Sequence, residues 1–175
     1  PILQVEGLAH RYPDGTAALA GVSCTIRRGE YVAVLGQNGS GKTTLVKHLN
    51  GILAPTAGDI RLAGQSLRGQ KAMLLSRRVG LVFQNPDHQI FAERVWDEVA
   101  FGPRLQGLSE ADVRRRVEEA LAAVGLADLG DADPFILTKG SRQRVAVAST
   151  LATKPDVIIL DEPTTGLDYR ELQGM

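Results

Sequence analysis

Short apolar runs broken by turn residues open the chain. Residues 2–7, 18–26 and 31–35 gather aliphatic side chains at strand length, and Pro13-Asp14-Gly15 and Arg27-Arg28-Gly29-Glu30 punctuate them. The period then changes. After a glycine-rich stretch at 36–41, Leu45 and Leu49 stand four residues apart within 44–50, and Gly51 follows where a glycine ends a helix. The pattern predicts strand, loop, helix. Residues 60–63 and 79–83 predict further strands, the second stopped by Pro86.

Residues 109–124 carry the clearest helical period. Ser109 with Asp112 three positions on forms a capping box, and Val113, Val117, Ala120, Leu121 and Val124 line one apolar face before Gly125. The Arg114-Arg115-Arg116 and Glu118-Glu119 runs then read as its solvated side. A second helix is predicted over 141–152, with Pro155 preventing its continuation. Residues 157–160 are wholly apolar, which suits a buried central strand of a parallel sheet. The fold class is therefore α/β. No internal repeat or low-complexity segment interrupts it.

Composition narrows the class without naming a ligand. The 175 residues are 43% hydrophobic and 23% charged, the profile of one soluble globular domain rather than of a disordered, collagenous or coiled-coil chain. Twenty basic and twenty acidic residues cancel, so no global charge argues for a nucleic-acid partner. The balance is uneven along the chain: residues 1–89 hold ten Lys/Arg against five Asp/Glu, so this half is the expected anion binder. Cys24 has no internal partner and sits in the apolar pattern Val22-Ser-Cys-Thr-Ile26, which reads as a small core residue in a reducing compartment. No apolar run approaches the ~20 residues needed to span a bilayer, and there is no charged-then-apolar leader.

The chemistry begins at Gly36. Gly36, Gln37, Asn38, Gly39, Ser40, Gly41, Lys42 and Thr43 satisfy GxxxxGK[ST], with a predicted strand before them and a predicted helix after. Glycines let successive N–H groups curl toward phosphate oxygens, and the following helix adds its positive N-terminal end. Lys42 would bridge the β- and γ-phosphates and the Thr43 hydroxyl would ligate Mg²⁺. A second element supports the first. The apolar run 157–160 delivers Asp161 and Glu162, the first placed to hold hydrated Mg²⁺ and the second to polarise a water. Thr153-Lys-Pro-Asp156 matches a guanine-reading pattern, but it follows a helix and precedes a strand, so it reads as a helix exit. His10, His48 and His88 are far apart and lack partners at ligand spacing, so no zinc or catalytic histidine site is expected.

With these motifs in order, the chain resembles the ATP-binding subunit of ABC transporters along essentially its whole length. The resemblance implies a P-loop NTPase core with an N-terminal antiparallel β layer and an inserted helical subdomain near 87–140. It implies that Tyr12 stacks on adenine and that Gln84, after Phe83, senses Mg²⁺ and the attacking water. Residues 137–144, Leu-Thr-Lys-Gly-Ser-Arg-Gln-Arg, resemble the signature that opens a helix and grips the γ-phosphate held by a second protomer. Thr138, Gly140 and Gln143 are thereby implied in ATP binding, alongside residues 36–43 and Thr44. Residues 161–168 are similar to the Walker B segment and the D-loop, with Asp168 at the dimer seam. Glu162, Gln84 and Lys42 are the implied catalytic residues, and Thr43, Gln84 and Asp161 the implied Mg²⁺ ligands.

Residues 83–91 and 98–103 further resemble energy-coupling factor importers of vitamins and transition-metal ions. That resemblance implies a transmembrane partner whose coupling helix docks beside Gln84, and a second ATPase domain, identical, paralogous or fused. It places the chain peripherally at the cytoplasmic face of the membrane. Ile90 and Phe91 suit either that docking or the packing of the helical subdomain. Two departures from the family pattern stand out. Lys139 occupies the first glycine of the usual signature and Ser141 its glutamine, while Thr138 keeps the hydroxyl. The chain also ends seven residues after Asp168, ahead of the switch histidine that the family carries, so it is expected to be C-terminally incomplete and a poor ATPase by itself.

Overall fold

Alternating burial makes Leu3–Arg11 a strand, β1, but the alternation changes phase within it. Leu3 and Val5 are buried, then Leu8 and His10, with Glu6 and Gly7 exposed between them. The ladder to the next strand, β2 (Ala17–Ile26), is irregular between Val5 and Leu8. A bulge there supplies the one-residue slip that returns the later side chains to the buried face. β3 (Ala57–Leu62) pairs with the other edge of β1, and β4 (Gln65–Ser66) with β3, giving the antiparallel order β2-β1-β3-β4. Gly58 needs a positive φ of 82° and packs against the Gly7 carbonyl, a place that any Cβ would fill.

The computed structural model describes residues 1–162, apart from the side chains of Ala72 and Met73, and the chain forms two units, 1–79 and 80–175. Besides the four-stranded sheet, the first unit contains helices α1 (Lys42–Leu49) and α2 (Ala72–Leu75). Thr44, His48 and Leu49 form the buried side of α1.

Two expectations fail in this unit. Residues 31–35 form no strand: among the described residues nothing pairs with them, and Tyr31 and Leu35 are 92% and 89% exposed. An apolar run becomes a strand only when another strand takes up its N–H and C=O groups. Cys24, expected in the core, is exposed on β2, an edge strand whose residues beyond Leu19 are not buried.

The second unit is built on three helices. α3 (Val95–Leu105), α4 (Glu110–Ala123) and α5 (Lys139–Ala152) enclose one apolar cluster that includes Val95, Val99, Val113, Val117, Val145 and Ala148. The capping serine predicted for α4 is in place, with the Asp112 N–H donating to Ser109 Oγ at 3.2 Å. α5 ends at Ala152, ahead of Pro155, and Lys154 turns out with φ of 50°. β5 (Val79–Val82), which begins at the unit boundary, lies beside β6 (Val157–Leu160). β6 was expected to be fully buried. It is half-buried, with β5 as its sole strand neighbour among the described residues. No helix among the described residues is long and apolar enough to cross a membrane.

Candidate functional site

In the first unit, the loop at 36–41 turns the chain into α1. The Ser40 N–H donates to the Gln37 carbonyl at 3.1 Å, and the helix opens with the Leu45 N–H donating to Gly41 at 2.8 Å. Gly41 is left-handed at φ 92°, and a Cβ there would lie 2.5 Å from the Ala18 carbonyl oxygen. Only glycine fits. The first turn of α1 has no acidic residue and no side-chain cap, so its N–H groups remain suited to an anion. Lys42 folds back over the loop and donates to the carbonyls of Gly36 at 2.8 Å and Gln37 at 2.9 Å. Its ammonium thus already sits on the loop, held by groups that phosphate oxygens can replace.

Gln37, Asn38, Gly39, Ser40 and Thr43 are exposed. Thr44 is buried, and its hydroxyl lies 3.0 Å from that of Tyr12, which joins the expected adenine platform to the first turn of α1. One turn further along α1 is a contact that the sequence pattern concealed: His48 Nδ1 lies 2.7 Å from the Thr44 carbonyl and His48 Nε2 lies 3.1 Å from His10 Nδ1.

In the second unit, β6 ends at Leu160 and Asp161 follows, its N–H donating to the Val82 carbonyl at 3.0 Å. Glu162 follows with φ of 46°, and Gln84 Nε2 donates to its Oε2 at 3.0 Å. Two residues singled out 78 positions apart therefore meet. The segment that carries Gln84 is tied down on both sides, because the Phe83 N–H donates to Gln89 Oε1 at 3.3 Å and its carbonyl accepts from Gln143 Nε2 at 3.2 Å. Gln143 was expected to bind ATP. Here it is 1% exposed and donates to the Phe83 carbonyl, a contact that ties the Gln84 segment to α5.

Thr138 caps α5, accepting from the Ser141 N–H at 3.2 Å, and Lys139 takes the first helical position. Gly140 is buried inside the first turn as an ordinary helical residue. With a cation and no carboxylate in that turn, this helix end also favours an anion. Of the two residues that suited docking, Ile90 belongs to the core, whereas Phe91 is 60% exposed and rests edge-on against Phe101. Buried Glu98 fixes that segment, its Oε2 accepting from the N–H groups of Phe91 at 3.0 Å and Ala92 at 2.9 Å. Asp168 and residues 163–167 lie outside the described residues.

The sequence profile described as ABC transporter matches residues 19–165. The chain belongs to the ABC transporter family. Several family members are close in sequence. The energy-coupling factor transporter ATP-binding protein EcfA of Methanocaldococcus jannaschii is 50% identical over 169 residues, which are 95% of this chain and 61% of that protein. A protein of Caldanaerobacter subterraneus, provisionally named an ABC transporter ATP-binding protein, is 53% identical over 99% of this chain and 31% of its own length. Among solved structures, cbiO1 of Clostridium perfringens, part of the ABC transporter complex cbiONQ, superposes with a TM-score of 0.92 at 42% identity, covering 98% of this chain and 69% of the other. The chain thus spans from about a third to about two thirds of these relatives. The α/β fold with its N-terminal antiparallel sheet is that of ABC ATPases.

Proposed function

We propose that the protein binds and hydrolyses ATP, and that this powers import of a small solute, a vitamin or a transition-metal ion, through a transmembrane partner at the cytoplasmic face of the membrane. The observation that carries the reading is the Gln84–Glu162 hydrogen bond. Glu162 is exposed just past the end of β6 and is held by a residue that the family pattern also singles out. The phosphate loop supports it from the first unit.

In the reaction, the N–H groups of residues 39–43 and the Lys42 ammonium hold the triphosphate. The oxygen of a water forms a bond to the γ-phosphorus as the bond to the β-phosphate oxygen breaks, giving ADP and phosphate. Glu162 takes the proton of that water and returns it to product, and Gln84 keeps the Glu162 carboxylate oriented. In this reading Thr43 of the first unit and, in the second, Asp161 and the Gln84 amide oxygen would hold Mg²⁺, each being a hard oxygen donor of the kind that ion takes. The ion, when bound, neutralises charge on the phosphate oxygens.

A second ATPase domain, identical, paralogous or fused, completes the engine in this reading. Thr138 and the first turn of α5 would meet the phosphates held by that partner, so ATP closes the pair and hydrolysis reopens it. Relatives named for energy-coupling factor transport and for the cbiONQ complex support the importer reading.

The test is ATP titration and phosphate release in the full-length protein. The unaltered protein should bind and hydrolyse ATP, and Lys42→Ala should weaken ATP binding roughly a hundredfold by removing charge-assisted contacts. Binding without phosphate release would favour a nucleotide-binding module instead, and no binding would defeat the reading.

A further inference from the structure

His10 and His48 belong to no motif, yet they are among the most enclosed polar side chains of the first unit, at 8% and 1% exposure. Their protonation pattern follows from their partners. A carbonyl oxygen only accepts, so His48 Nδ1, 2.7 Å from the Thr44 carbonyl, carries the hydrogen. In a neutral ring its Nε2 is then an acceptor, and His10 Nδ1, 3.1 Å away, must donate to it. That leaves His10 Nε2 as a lone pair with no donor. It is the one buried side-chain nitrogen or oxygen among the described residues without a partner.

An orphaned acceptor makes histidine a poor core filler, since leucine would occupy the same buried face of β1 without that penalty. What leucine cannot supply is direction. The His10 ring stands edge-on to His48 at 4.6 Å and to Tyr12 at 4.7 Å, and the Tyr12 hydroxyl lies 3.0 Å from Thr44 Oγ1. The contacts close a circuit: Thr44 to His48, to His10, to Tyr12 and back to Thr44. Thr44 is gripped through both its carbonyl and its hydroxyl. The circuit spans two elements, the end of β1 with Tyr12 just past it and both turns of α1, Thr44 in the first and His48 in the second.

From this circuit we infer that His10 and His48 are positioning residues, a brace that fixes the Tyr12 ring relative to the helix behind the phosphate loop. The inference rests on the ATP reading above. Its consequence is that base and triphosphate are bound as one ligand: the phosphate loop sets where the triphosphate lies, and the brace sets the ring on which the base would stack. Neither histidine touches the phosphates.

The test compares ATP with inorganic tripolyphosphate, which lacks base and sugar, by calorimetric titration of the full-length protein. His10→Leu and His48→Asn should each weaken ATP binding by about tenfold, the worth of one buried hydrogen bond and its ring contacts. Tripolyphosphate binding should stay within about twofold, because the loop and Lys42 are untouched. His10→Asn, which keeps a donor toward His48 but has no ring to set against Tyr12, should bind ATP no better than His10→Leu. Circular dichroism and thermal unfolding establish that each variant folds.

Two outcomes would overturn the brace: an unchanged ratio of ATP to tripolyphosphate affinity in both variants, whether both affinities hold or fall in parallel, or a His10→Asn protein that binds ATP as tightly as the unaltered one. The failure of the underlying reading looks different. An unaltered protein that binds ATP no more tightly than tripolyphosphate defeats the role of Tyr12 as a base platform, and the brace with it.

Discussion

At Gly41 the backbone does what no side chain could. Its left-handed φ and its approach to the Ala18 carbonyl bring the loop into α1, whose first turn no side chain caps. Gly41→Ala should therefore destabilise the full-length protein by about 1 to 3 kcal/mol in chemical denaturation, and ATP binding should fall with it. A neutral Gly41→Ala would mean that the loop tolerates another path. Residue-level expectations could be formed where the motif demands a residue type at a fixed spacing, as at Gly36, Lys42 and Asp161. They could not be formed where two side chains meet only through the fold. His10 and His48 stand 38 positions apart on different elements, and nothing in their spacing reveals a shared hydrogen bond. Gln143 shows the same limit, because its place in the signature stretch suggests a ligand contact and does not reveal its hydrogen bond to Phe83.

At the scale of elements, α3 and α5 act as clamps on the segment between β5 and the helices. Arg142 and Gln143 on α5 reach Asp87 at 2.8 Å and Phe83 at 3.2 Å, while Glu98 on α3 holds the N–H groups of Phe91 and Ala92. Glu98→Ala leaves two backbone donors without their acceptor in a half-buried setting. It should cost about 1 to 3 kcal/mol of stability and raise amide exchange at residues 91–92; unchanged exchange there would remove Glu98 from this role. Periodicity located α4 and α5 but not α3, since capping at Ser109 and the apolar face from Val113 to Leu121 are local signals. Strands were harder. Residues 31–35 and 157–160 are equally apolar, but whether such a run pairs depends on neighbours distant in sequence, so the first is irregular here and the second half-buried.

For the whole molecule, the exposed Phe91 and Phe101 rings, 4.8 Å apart, are an apolar pair suited to docking the proposed membrane partner. Phe91→Ser should lower ATP-driven uptake in the reconstituted transporter roughly tenfold, as loss of an aromatic anchor does, while basal phosphate release stays unchanged. Equal uptake would move docking elsewhere. The zero net charge fits a protein that meets its anionic ligand through a glycine loop and one lysine rather than through a basic face. The central claim is narrower: Glu162, held by Gln84, is the group that takes the proton of the attacking water. It is tested most directly by measuring ATP binding and phosphate release side by side in the full-length protein and in Glu162→Gln. The account predicts retained ATP affinity with turnover reduced about 10² to 10⁴-fold; turnover equal to that of the unaltered protein would contradict it.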